Sequence, residues 1–152
     1  MLPVHGAPEG ADALAITEAV RVRGGIVTHI ARDAARAAAT ATTVSYFASD
    51  VPVLSFPAWD CLPYDRVSPS ADITAQRMAV LSALAAHDGK SPLVLVTSVN
   101  AALLRTPPRA LIESASFTAR PGDSVDGEAL TAFLIANGYA RASTVREAGE
   151  FA

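Results

Sequence analysis

The sequence has little of what catalysis or nucleic-acid binding draws on. It holds twelve basic residues, of which only Lys90 is lysine, and its formal net charge is −3. The arginines are spread along the chain and form no stripe that could track phosphates, so strong nucleic-acid binding by this chain alone is not expected. A single cysteine, Cys61, excludes an internal disulfide and a cysteine-paired metal site. Cys61 reads as a small half-buried residue beside Trp59. No stretch approaches the ~20 apolar residues of a membrane-spanning helix. Pro3, Glu9, Asp12 and Glu18 interrupt the region where a signal peptide needs an apolar run. A soluble chain in the cytoplasm, with no membrane contact, is the expectation. His5, His29 and His87 lie far apart, and H-E-x-x-H, C-x-x-C and G-x-S-x-G motifs do not occur. No catalytic residue and no metal site are expected. Asp60, Asp65 and Asp72 read as turn and capping residues.

What the chain does have is a core. Hydrophobic residues make up 51% and charged residues 18%, which argues against disorder. Much of the apolar count is alanine, so the core must depend on fewer Leu, Val, Ile and Phe positions. Leu14, Ile16, Ala19 and Val20 give Glu9 to Arg23 an apolar helical face, ended by Gly24 and Gly25. Ile26 to Ile30 predicts a strand, Asp33 to Ala48 a helix, and Val51 to Phe56 a second strand with Pro52 near its start. Three prolines make Pro57 to Pro69 a loop, and its aromatics suggest that it is pinned to the body. Ser70 or Asp72 caps a helix to His87 whose face is Ile73, Met78, Val80, Leu81 and Leu84. Leu93 to Thr97 is apolar up to its closing threonine and predicts a central strand covered on both sides. Ser98 caps a short helix that Pro107 and Pro108 close.

Strands separated by helices imply right-handed crossovers and an α/β fold: a parallel sheet with helices on both faces. We expect this P-loop NTPase-like domain over residues 1–111. Residues 112–152 read as the beginning of a smaller α+β domain. There Ser116 to Ala119 predicts a strand, and Asp126 caps a helix ending at Asn137 and Gly138. Ser143 to Arg146 and Glu150 to Ala152 predict strands joined at Ala148 and Gly149. The sequence stops inside that last strand, so we expect it to be a fragment.

A fold of this kind raises the question of triphosphate binding. The phosphate loop G-x-x-x-x-G-K-[ST] uses backbone N–H groups and a lysine to hold phosphates. The turn from His5 to Asp12 feeds the first helix and keeps Gly6 and Gly10. However, Ala11 stands where the lysine belongs and Asp12 where the hydroxyl belongs. Glu9 and Asp12 would also repel phosphate. Gly89, Lys90 and Ser91 carry the letters of a phosphate-loop tail in the reverse context, with a helix before and a strand after. The degenerate site at Gly6, Gly10, Ala11 and Asp12 is therefore expected to bind no nucleotide. A small α/β nucleotide-binding enzyme with an atypical phosphate loop is the alternative.

The run Trp59-Asp60-x-Leu62-Pro63-Tyr64-Asp65-Arg66-x-Ser68-Pro69-x-x-Asp72-Ile73-x-x-x-Arg77 resembles a signature of the transcription-repair coupling factors. Val96 to Pro108, Gly138-Tyr139-Ala140-Arg141 and Val145 to Ala152 resemble further segments of that family in the same order. The resemblance implies the N-terminal UvrB-like region of such a factor. That region corresponds to UvrB-like domain 1a followed by a truncated domain 2. It implies a non-catalytic role: coupling stalled RNA polymerase to nucleotide excision repair by recruiting UvrA, and restraining the motor of the same parent protein. Arg141 falls on the UvrA-contacting arginine of the family, and a second contact arginine lies past Ala152. The UvrA surface here is thus incomplete. ATP and magnesium belong to the parent motor, and RNA polymerase and DNA to parent domains outside this sequence. Trp59, Leu62, Pro63, Tyr64, Asp65, Ser68, Pro69, Asp72 and Arg77 read as a structural signature.

Overall fold

The computed structural model describes residues 6, 8, 10–62, 66–147 and 149–152. The chain divides into two compact units, Met1–Glu113 and Ser114–Ala152.

The first unit is a mixed α/β structure. Its elements run α1 (Ala11–Arg23), β1 (Ile26–Ala31), α2 (Ala34–Phe47), β2 (Val53–Phe56), α3 (Ala71–Ala86), β3 (Leu93–Ser98) and α4 (Val99–Ala102). A helix the sequence did not announce, α5 (Arg109–Ser114), follows Pro107 and Pro108. Those prolines lie ahead of it, where a missing N–H costs nothing.

The three strands are parallel in the order β1-β3-β2. β3 is central, with Leu93, Val94, Val96, Thr97 and Ser98 buried. Register sets which residues share a face. Val27 and Val53 both pair with Val94, and together with Val96 they pack against Ala13, Ile16 and Val20 of α1 and Ala41 and Val44 of α2. On the opposite face Thr28 and Leu95 line a groove with Leu81 and Leu84 of α3 and with Ile112. Each fully buried valine contributes about 1.5–2 kcal/mol, so the shell around Val20, Val44, Val94 and Val96 carries much of the unit.

Two expectations of detail change. α1 buries Ala13, Ile16, Thr17 and Val20, one face at i, i+3, i+4, i+7, and leaves Leu14 51% exposed. β2 begins at Val53 rather than Val51, although the carbonyl of Pro52 still accepts from Val94 N–H at 3.0 Å. The α1–β1 turn also needs its glycines. Gly25 has φ +65°, donates to the Lys90 carbonyl at 2.8 Å and accepts from Leu93 N–H at 2.9 Å. A Cβ there would lie 3.0 Å from the Gly89 carbonyl oxygen.

The second unit holds α6 (Gly127–Ala136), β4 (Ala140–Arg141) and β5 (Glu150–Phe151). Asp126 caps α6 by accepting from Glu128 and Ala129 N–H, and Gly138 follows it at φ +85°. Two strand expectations fail. Ser116 to Ala119 is not a strand, and Ser143 to Arg146 contains bends. A strand needs a partner ladder, and the one ladder among the described residues of this unit joins β4 to β5 in parallel. The expected turn at Ala148 falls outside the described residues.

Candidate functional site

The loop carrying the sequence signature is fixed at its base. Arg77, on α3, is only 1% exposed. Its guanidinium lies 4.1 Å from the ring centroid of Phe56 and 4.2 Å from that of Trp59, and it donates to the Pro57 carbonyl. Burial pushes its pKa below the ordinary arginine value, and the two aromatic faces compensate the charge. Asp60 accepts from Ser70 N–H at 3.1 Å, and Ser70 in turn caps α3 through Ile73 N–H. Hydrogen bonds from Ser70, its side chain first and then its N–H, hold the Asp60 carboxyl below the usual range. Asp72 lies in the first turn of α3, where the helix dipole favours a carboxylate. Pro69 lines a groove with Trp59, Cys61, Leu62, Leu103 and Leu104. Ser68 is exposed, and Pro63, Tyr64 and Asp65 lie outside the described residues.

Gly6 and Gly10 precede α1, Ala11 and Asp12 form its first turn, and among the described residues no strand leads into them. Gly10 caps α1 at φ +91° without a side-chain hydrogen bond. Asp12 pairs with Arg36 of α2 at 2.8 Å. His5 and Glu9 are outside the described residues. Strands feed helices at three places: β1–α2, where only Arg32 and Asp33 intervene, β2–α3 across residues 57–70, and β3–α4 with no residue between. Asp33 places its carboxylate on the N terminus of α2, accepting from Arg36 N–H at 2.7 Å and from Arg32 Nε at 3.0 Å. The Arg36 N–H bond is the main cause that lowers its pKa. A crevice of about 200 Å³ opens at this carboxyl edge of the sheet, between Ala34 and Ala37 of α2, Ser55, Gln76 and Ser98. None of the described residues lining it is basic.

The turn Gly89-Lys90-Ser91 has its amides occupied. Asp88 accepts from Lys90 N–H, Ser91 N–H and the Ser91 hydroxyl, and its pKa falls to about 2, chiefly through Ser91 N–H. His87 Nδ1 accepts from Gly89 N–H, and His29 lies on β1. Among the described residues no three His, Cys, Asp or Glu gather as a metal site. No helix among them is long and apolar enough to cross a membrane. Arg141 lies on β4, exposed, with its backbone registered to Phe151.

Sequence reasoning picked out Trp59 and Arg77 without the Phe56 face that completes their stack. It also missed the β1–α2 turn as a place to look for a phosphate loop. The signal was present in Ile26 to Ala34, a strand feeding a helix with no glycine between them.

No protein-family model matches the chain. It is 30% identical over 142 residues to the transcription-repair-coupling factor of Escherichia coli, covering 93% of this chain and 12% of that protein. The Haemophilus influenzae factor is 29% identical over 143 residues, 94% of this chain and 12% of the other. The Mycobacterium tuberculosis factor is 35% identical over 105 residues, 66% of this chain and 8% of the other. The chain thus spans roughly a tenth of the length of these curated relatives, as it does of the Rickettsia conorii factor at 10%. By descent, then, this chain is a homologue of one short stretch of the transcription-repair-coupling factors.

Proposed function

We propose that the chain is the N-terminal UvrB-like, non-catalytic module of a transcription-repair coupling factor. It recruits UvrA, links a stalled RNA polymerase to nucleotide excision repair and restrains the parent's motor. In this reading residues 1–111 are a P-loop-type domain that has lost its nucleotide, residues 112–152 belong to a UvrA-binding domain, and the protein acts in the cytoplasm. The observation that carries it is the β1–α2 turn. A phosphate loop needs about eight residues, glycine-rich and ending in a lysine. Here two residues fill the gap, and the Asp33 carboxylate sits where a phosphate would meet the helix N terminus. None of the described residues lining the neighbouring crevice is basic, so nothing there offsets a triphosphate's charge. An anion already covalently attached at the helix end repels a second one.

The sequence relationship supports UvrA as the partner and Arg141 as a contact. Arg141 is exposed on β4, so its guanidinium is available for bidentate contact with a carboxylate. The test is capture of purified UvrA by the chain extended to the length of its relatives. Arg141→Ala weakens capture if the assignment holds, and unchanged capture removes Arg141 from the surface.

A further inference from the structure

The loop clamped by Arg77 and Asp60 forms one wall of a groove of about 560 Å³, and α4 with Leu103 and Leu104 forms the other. Large apolar side chains gather on it in the open. Leu62, on one wall, is 72% exposed and Leu103, on the other, 79%. Single exposed leucines are ordinary, but two facing each other across one concavity mark a contact surface. The described ends of both walls are anchored. The Arg77 stack holds Trp59, Asp60 accepts from Ser70 N–H, and Ser98 caps α4 through Ala101 N–H. Anchoring of this kind reduces the entropy lost on binding.

Charge indicates the kind of partner. Arg66 sits in the loop between Leu62 and Pro69, and Arg105 directly follows Leu104. Both are exposed, and neither has an ion-pair partner among the described residues. Asp60, on the same loop, is already engaged by Ser70. We propose that this groove docks an amphipathic segment of another protein, with leucine-type side chains in the groove and carboxylates facing Arg66 and Arg105. The mode is a helix or strap laid into an apolar groove, with electrostatic complementarity setting the choice of partner. It does not depend on whether the chain binds nucleotide.

The test is fluorescence anisotropy of the 152-residue chain with a labelled peptide of leucine and glutamate at helical spacing. The same peptide with lysine in place of glutamate is the control. The glutamate peptide saturates the chain and binds at least about tenfold tighter than the lysine peptide, a difference of about 1.4 kcal/mol. Leu103→Ser and Leu62→Ser, both at exposed positions, each weaken it by about tenfold. Arg105→Glu reverses the preference between the peptides. Equal binding of the two peptides, no binding, or indifference to Leu103→Ser overturns the proposal. So does tighter binding of a single-stranded oligonucleotide, or a chain dimer in sedimentation that Leu103→Ser dissolves.

Discussion

The two units of the chain bury their side chains to different degrees. In the first, Val20, Val44 and Val94 have no exposed surface, and Val96 has 1%. In the second, no residue of α6 is buried, and its helix meets its neighbours through half-covered Leu130, Phe133 and Leu134. Phe117 and Phe133 form one tilted ring contact, 5.7 Å between centroids. The ladders differ in the same sense. β1 and β3 register over six pairs, whereas β4 and β5 register over two. Burial of apolar area is the main source of stability. The first unit therefore has a closed core to hold a fixed surface, and the second presents an open helix and a short ladder.

The comparison can be broken most directly in the core. Val94→Ala destabilises the first unit by about 2–3 kcal/mol through lost burial and a cavity. Leu134→Ala in α6 costs under about 1 kcal/mol, because a half-exposed site has less transfer energy to lose. Urea unfolding monitored by amide exchange checks both, and equal losses would erase the distinction between the units. Next comes the clamp. Arg77→Met removes two cation–π contacts and the bond to Pro57, at about 2 kcal/mol, while Arg77→Lys keeps part of it. Trp59 is the only tryptophan, so a red-shifted emission reports release of the loop. An unchanged spectrum would mean that the stack does not hold it.

Glycine substitutions sharpen the contrast on a smaller scale. Gly25→Ala combines a left-handed φ with a 3.0 Å approach to the Gly89 carbonyl oxygen, and costs about 2 kcal/mol. Gly122→Ala in the second unit has the same kind of φ, +97°, but open space around it, so it costs about 1 kcal/mol. Thermal melts rank the two. The smallest effect is on Asp88. Its folded pKa is about 2 against an ordinary 3.8, so its contribution is complete above pH 3.8 and disappears as pH falls toward 2. A melting-temperature series over that window shows an extra acid loss in the native chain that Asp88→Asn lacks.

Much of the first unit was legible because its local signals agree. Leu93 to Thr97 is apolar at every position but the last and became the central strand. Ser70, Ser98 and Asp126 each sat one residue before a helix and each caps it. The second unit was less legible because its strands depend on partners that local sequence does not specify. Ser116 to Ala119 has strand-forming residues and no ladder to join. Ala140 and Arg141 have modest propensity and form one with Glu150 and Phe151. At the candidate site the aromatics of the 57–69 loop announced an anchor. The anchor's geometry required Phe56, Trp59 and Arg77 to meet across twenty-one residues, which only the fold brings about. The turn Arg32-Asp33 was passed over because Gly6 and Gly10 looked more like a phosphate loop than a strand end without glycine.

The central claim is that the helix end at Asp33 is closed to phosphate. Calorimetric titration of the chain with magnesium-ATP, paired with a thermal melt at the same ligand concentrations, tests it most directly. The account predicts no saturable heat and an unmoved melting temperature. A saturable heat with a melting temperature that climbs with ATP, as linkage requires of any ligand bound to the folded chain, would contradict it.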